Sequence, residues 1–410
     1  MTLYNYHFIK YNETKSSKKY KSLNQGGKPM AKHPLLPFME AHAKALDTNV
    51  KDLTVESLKS LFGHVYYIWR TFKPALGEEA ALKYYGNVWA ELAKLGFAGA
   101  MEKFALKEVK DLPTLGKIVQ DCFTGVPALY KTKRNTKNEH VGHVLWCANP
   151  AYGPGDCTYC RHDYYRQEVY LTYVYIWELI NQAKLKGLKE EILVELPSGR
   201  CRDGAACACQ IILRTKDADP DRHLPEVENR FVDLEMGKQE PVSYILKKQK
   251  RSFDEQGPAS FSGFLAVDLI AFIQLFVNAK PKAKQIYLDL WKTFPPMWVK
   301  EAKIDLEIGK VKTAQDLGAI VAYCQKKKYV AFSVEGDDKT AVLTAAADPF
   351  VQVAEMFQGP KAYNEALVAM DKDFIENIFS ETKMAKKAKV KIKSHIAKGD
   401  SQTVIEITVK

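Results

Sequence analysis

Six of the eight cysteines, Cys147, Cys157, Cys160, Cys201, Cys207 and Cys209, crowd into one stretch of the chain. Cys157 and Cys160 form a C-x-x-C, whose two sulfurs can face a common point from one tight turn. The run from Cys201 through Gly204 to Cys207 and Cys209 supplies a second pair, with Gly204 available for a turn. Thiolates in this arrangement select Zn²⁺ or an iron–sulfur cluster, and the spacing does not separate the two. For zinc, four thiolates close a tetrahedron. The favoured set is Cys157, Cys160, Cys201 and Cys209, with Cys207 and Cys147 as alternates. Cys207 and Cys209 are two apart in a strand and so share a face. His143 and His162 are candidate nitrogen ligands.

Catalysis beside such a site would need a nucleophile or an activated water, and the candidates are Cys147, His143, Asp156 and Glu195. Cys147 lies apart from both cysteine pairs, so a four-ligand site spares it most easily. His143, four positions earlier on the same strand face, would favour its thiolate. A thiolate or a metal-bound water could attack a C=N carbon. The plain structural readings are that Asp156 is a turn residue and Glu195 an outward strand position. Tyr164, Tyr165, Tyr170, Tyr173, Tyr175 and Trp177 share one helix. They either pack in the core or line a pocket for an aromatic or heterocyclic small molecule. Walker A, Gly-x-Gly-x-x-Gly, His-Glu-x-x-His and Gly-x-Ser-x-Gly motifs are missing from the sequence. Nucleotide hydrolysis, nicotinamide chemistry, zincin proteolysis and the usual serine hydrolases are therefore disfavoured.

The elements that must position these residues recur along the chain. Ala81-x-x-x-Tyr85-x-x-x-Trp89 returns as Ala283-x-x-x-Tyr287-x-x-x-Trp291, and the run Leu115 to Cys122 returns as Leu317 to Cys324. Asn149-Pro150 corresponds to Asp348-Pro349, and Gly204 and Gly399 each precede a final strand. The fold expected is α+β, as two diverged tandem copies, each a helical opening followed by an antiparallel sheet with one long covering helix. Residues 1–50 read as an N-terminal arm, 51–215 as the cysteine-bearing copy, 216–262 as a connector and 263–410 as a diverged copy. Strands are expected at Val126 to Tyr130, Val141 to Cys147, Ile192 to Leu196 and Cys207 to Leu213, with a polar hairpin loop from Lys131 to Glu139. The long helix of the first copy is expected at Asp163 to Lys186. In the second copy, Ala346, Ile396 and Val404 stand at the positions matched to Cys147, Cys201 and Cys209. Cys122 and Cys324 fall at equivalent helical positions and read as core cysteines.

Cys201-x-x-Gly204-x-x-Cys207 entering a final strand resembles the end of the 4-vinyl-reductase-like domain, which also senses aromatic effectors in phenol-responsive activators. Together with Tyr67-Ile68-Trp69, Leu76-Gly77-Glu78-Glu79-Ala80-Ala81 and Val88-Trp89, it also resembles the L-2-amino-thiazoline-4-carboxylic acid hydrolase family. The resemblance covers residues about 54–215. It implies a hydrolase acting on a C–N bond or a heterocyclic ring, or a ligand-sensing or scaffold domain stiffened by a metal. The sensory relatives hold zinc with three cysteines and a carboxylate. By that resemblance Cys201 and Cys209 carry over, with Cys157 or Cys160 as the earlier cysteine. Ser198 stands where the carboxylate would be, and the extra C-x-x-C favours an all-cysteine site.

The formal charge of +11 gathers at the two ends of the chain, where lysines are usually solvated. Nucleic acid is not expected, because no helix-turn-helix, aromatic RNA-binding signature or arginine stripe is present. The run Phe264 to Ala279, interrupted by Asp268 and Gln274, reads as a buried helix rather than a membrane span. Without a recognisable secretory signal the expected setting is cytoplasmic, where thiols stay reduced. A homo-oligomer or a partner subunit is left open.

Overall fold

The computed structural model describes residues 33–126, 128–147, 158–197, 209–219, 221–227, 235–279 and 281–410. Two long helices lead the first half, α2 (Val50–Leu76) and α3 (Glu78–Lys103), after a short α1 (Leu36–Ala45). The Asn49 side chain accepts the Asp52 amide at 2.9 Å and so starts α2. Pro74 lies in its last turn, and Gly77, at φ +81°, ends it and turns the chain straight into α3. A side chain at Gly77 would strain that backbone. Helix α4 (Leu112–Gly125) starts on an Asp111 cap, and the hairpin β1 (Ala128–Asn135) and β2 (Glu139–Cys147) follows. Then come α5 (Thr158–Leu185), β3 (Ile192–Glu195) and β4 (Cys209–Thr215).

The second half runs in the same order. After α6 (Pro241–Gln249) it has α7 (Phe253–Asn278), α8 (Ala283–Trp291), α9 (Pro295–Asp305) and α10 (Ala314–Lys327). Strands β5 (Ser333–Gly336) and β6 (Thr340–Ala345), helices α11 (Pro349–Met356) and α12 (Lys361–Glu381), and strands β7 (Ala388–Ser394) and β8 (Thr403–Val409) complete it. The two four-stranded antiparallel sheets have orders β1-β2-β4-β3 and β5-β6-β8-β7. Each is therefore ordered first, second, fourth, third within its half. The molecule is thus a mixed α and antiparallel-β structure.

Helices α2 and α7 pack on one another at the centre, and the main core spreads from them over the whole second half. A separate core lies under the first sheet, formed by α3, α4, α5 and the inward residues Val144, Ile211 and Leu213. From β2, Trp146 joins the main core and Leu145 packs against it. Helix α7 is long and apolar enough to cross a membrane, yet 67% of its most apolar window is buried in the protein.

Several boundaries differ from the sequence reading. Lys131 to Asn135 continue β1, so the hairpin turn is confined to residues 136–138. There Thr132 donates to Gln120 and Arg134 pairs with Glu139, giving polar strand residues partners that their composition did not advertise. The arm drawn as 1–50 contains α1, whose Leu36 and Met39 are fully buried. The connector boundary at 262 falls inside α7, whose start is fixed by a Ser252/Glu255 capping box. Helix α5 begins at Thr158, so Cys160 lies in its first turn rather than in a tight turn before it.

Candidate metal centre

One end of the first sheet gathers the cysteine-bearing segments. Cys147 is the last residue of β2, opposite Ala128, and Cys209 is the first residue of β4, opposite Val144. Because β2 and β4 are antiparallel, the end of one and the start of the other lie at the same sheet end. Strand β3 leaves there too, since Glu195 pairs with Ile212 before the chain continues to Pro197. Asp156, Cys157, Ser198, Cys201 and Cys207 lie outside the described residues, as do the side chains of Cys147, Cys160, His162, Tyr164 and Tyr165. Cys209 is half-buried at the edge of the sheet core. Among the described residues no group of three or more His, Cys, Asp or Glu side chains is arranged to hold a metal ion. Cys122 and Cys324 are buried at matching places in α4 and α10, where burial pushes each thiol up to about 12.

The catalytic candidates that are described are held in structural contacts. His143 is fully buried on the outer face of the sheet, where Gln210 Nε2 lies 3.1 Å from its Nε2. The Gln210 amide can only donate there, which leaves the imidazole proton on Nδ1. The rise of an extended strand sets the Cα atoms of His143 and Cys147 about 13 Å apart, beyond direct proton-transfer reach. The segment after β4 folds back over this face. Arg222 pairs with Glu139 and, at 3.0 Å, with Glu195, while Pro225 O accepts Gln210. Burial alone would raise the Glu195 carboxyl, but Arg214 and Arg222 together hold it below the usual range. Glu195 is thus an ion-paired strut. Tyr175 packs against Trp89 and Phe123 in the core, whereas Tyr170 and Trp177 are exposed.

Sequence reasoning missed His140. It is buried against α4, with Nε2 2.8 Å from Tyr130 Oη and Nδ1 3.1 Å from Asn135 Oδ1. A Cβ at Gly116 would stand 2.4 Å from its Nδ1, so the glycine leaves room for the imidazole. Desolvation lowers its pKa to about 4, which keeps the ring neutral at pH 7.

The matching end of the second sheet is built differently. Continuing the strand pairings through both sheets sets Asp348 at the Cys147 position and Thr403 at the Cys209 position. Aligned in this way, the sheets give correspondences that differ from the Ala346 and Val404 matches made from the sequence. Asp348 caps α11 by accepting the Phe350 amide at 2.9 Å. Beside it, Lys328 Nζ lies 2.6 Å from Asp371 Oδ1 and faces the rings of Trp291 and Phe374. His395 Nδ1 accepts the Ala397 amide, so its Nε2 donates to Asp371 Oδ2 at 3.0 Å. Burial opposes the Asp371 charge, but Lys328 and His395 outweigh it and hold the carboxyl well below its ordinary range. Burial and the nearby Asp371 raise Asp348 to about 6.

A further polar cluster ties the halves together. Asp268 on α7 accepts the hydroxyls of Tyr287 and Tyr363, each at 2.7 Å. His64 Nε2 on α2 lies 2.9 Å from its other oxygen. All four side chains are buried, and the set serves as an anchor inside the main core. The sequence hint was Asp268 itself, the lone acid of the apolar run Phe264 to Ala279, which needs buried partners. No protein-family model, curated protein or solved structure matches the chain.

Proposed function

We propose that the first half binds zinc or an iron–sulfur cluster through its cysteines, and that the chain is a hydrolase-like small-molecule enzyme acting on a C–N bond or heterocyclic ring. The observation that carries the metal reading is the meeting of the β2 and β3 ends with the β4 start at one sheet end. In the chain Cys157 directly precedes α5 and Cys207 stands two residues before β4. Cys157, Cys160, Cys201 and Cys209 would hold the metal, with Cys207 and Cys147 in reserve. A bound zinc would supply Lewis acidity and, at an open coordination position, an ionised water. The reaction class rests on the resemblance to the thiazoline-carboxylate hydrolases. On the same reading the two halves are diverged copies, supported by the shared strand order and by α4 and α10 starting 202 residues apart.

A second reading, a non-catalytic ligand-binding or scaffold subunit with a structural metal, is favoured by the engagement of His143 in a buried hydrogen bond and of Glu195 in an ion pair with Arg222. Cys147→Ser separates the two, read by metal content, thermal stability and iodoacetamide labelling. The thiol-enzyme form requires a labelled Cys147 in the wild type and full metal in the variant. Loss of metal in the variant makes Cys147 a ligand and removes that form.

A further inference from the structure

A segment crosses the outer face of the first sheet, and among the described residues none crosses that of the second. In the first half the segment after β4 crosses that face, gripped where Glu139 and Glu195 of the sheet meet Arg222. The strand pairings set Lys391 of β7 at the position of Glu195. The charge presented to an occupant is therefore reversed. Strand β7 is an edge of its sheet, and edge strands present unpaired backbone groups on their open side.

Along that edge, between β7 and α12, lies an open groove of about 460 Å³. Lys284, Lys372, Lys391 and Lys398 surround it, Val390 and Ile392 contribute to its apolar floor, and Glu365 is its only acid among the described residues. All four lysines are exposed, and among them Lys372 has a long ion pair, 3.8 Å from Glu376. Among the described residues the lining has neither an aromatic ring for stacking a base nor an arginine. Backbone groups on an open strand edge, alternating apolar contacts and a ring of lysines together suit one ligand class.

We infer that the β7 edge is a docking site for an acidic peptide in extended conformation, which adds to the sheet as a further strand with its carboxylates on the lysines. Alternate side chains of such a peptide would rest on the Val390 and Ile392 side of the groove. The lysines also discourage pairing with a second copy of the same strand, because like charges would face each other.

The test uses the full chain and a fluorescein-labelled peptide of alternating glutamate and valine, followed by fluorescence anisotropy. Saturable binding is expected, weakening as salt is raised. Lys391→Glu and Lys372→Glu should each lower affinity about tenfold. The same peptide N-methylated at alternate residues should not bind, because strand addition needs its amides. No saturable binding, unchanged affinity in both variants, or full binding of the N-methylated peptide would each overturn the assignment. A single-stranded oligonucleotide of equal charge that binds as tightly as the peptide would overturn it too, since the surface would then be reading phosphate.

Discussion

The two sheets share a strand order but close one end by different chemistry. At the first, Cys147 and Cys209 terminate strands β2 and β4, and the other clustered cysteines belong to the segments that join there. At the second, the equivalent positions are Asp348 and Thr403, and a buried Lys328–Asp371–His395 chain lies beside a short apolar helix, α11. A sheet end of this kind leaves polar backbone and loop groups that must be satisfied internally. The second half does so with ions and hydrogen bonds already present in the chain. The first half, on the reading advanced here, recruits a metal. If that proposal holds, the same sheet geometry has two unrelated solutions, and the cysteines mark the half that depends on a bound metal.

The comparison is broken most forcefully at Lys328. Lys328→Met leaves Asp371 a buried charge with only the hydrogen bonds of Gln325 and His395, and should cost about 3–5 kcal/mol in denaturant unfolding. Metal content should be unchanged, because the lysine belongs to the other half. A variant that kept its stability would show that the ion pair does not hold this sheet end.

The matched glycines give the next contrast. Gly116→Ala drives a methyl into His140, 2.4 Å from Nδ1, whereas Gly318→Ala meets Ala341 and Val334 side chains at 3.0 Å. The first should lose about 2–3 kcal/mol and the second about 1 kcal/mol or less, measured by urea unfolding. Equal losses would mean that His140 is not tightly confined.

Acidity sharpens the comparison further. Asp348, raised to about 6 from 3.8, binds its proton more readily folded than unfolded. Its contribution therefore falls as pH rises from about 4 to 6, and the full penalty persists above that. Asp371, held low, acts oppositely and loses its contribution only as pH drops below the ordinary carboxylate range. Asp348→Asn keeps an α11 cap while removing the buried charge. It should raise stability at pH 7.5 by about 1–2 kcal/mol and have little effect at pH 4. A variant less stable at pH 7.5 would show that the Asp348 charge is favourably paired.

The smallest effect tests whether the halves are equivalent where they do look alike. Asp111 and Thr313 cap α4 and α10 by accepting the Thr114 and Asp316 amides, at 2.8 and 3.0 Å. Asp111→Ala and Thr313→Ala should each cost about 1 kcal/mol in thermal unfolding. A difference well beyond that would mean that the two helices are held by different means.

Much of this architecture was legible in the sequence. The repeated Ala-x-x-x-Tyr-x-x-x-Trp pattern marks Tyr85 and Tyr287, both fully buried, and the strand expected at Val141 to Cys147 lies within β2 (Glu139–Cys147). Helical and strand periods survive because they record which face is covered. What was not legible depended on partners distant in sequence. His140 carries no local signal, since its place is set by Gly116 and Tyr130 across the sheet. Lys328 reads as one lysine in a run of three, and only α12 and the turn after β7 make it a buried cation. His143 was read beside Cys147 by strand parity, which gives the face but says nothing of separation along the strand or of the segment that covers it. The cysteine spacing was the clearest chemical signal, while a ligand set requires distances that spacing does not contain.

The central claim is that the first half is a thiolate metal site, and its most direct test is elemental analysis of anaerobically purified full-length protein beside a Cys157→Ser/Cys201→Ser variant. The account predicts about one zinc per chain, or iron with matching acid-labile sulfide, in the wild type and its loss in the variant. Wild-type protein with neither zinc nor iron, or a variant that keeps its full metal, would contradict it.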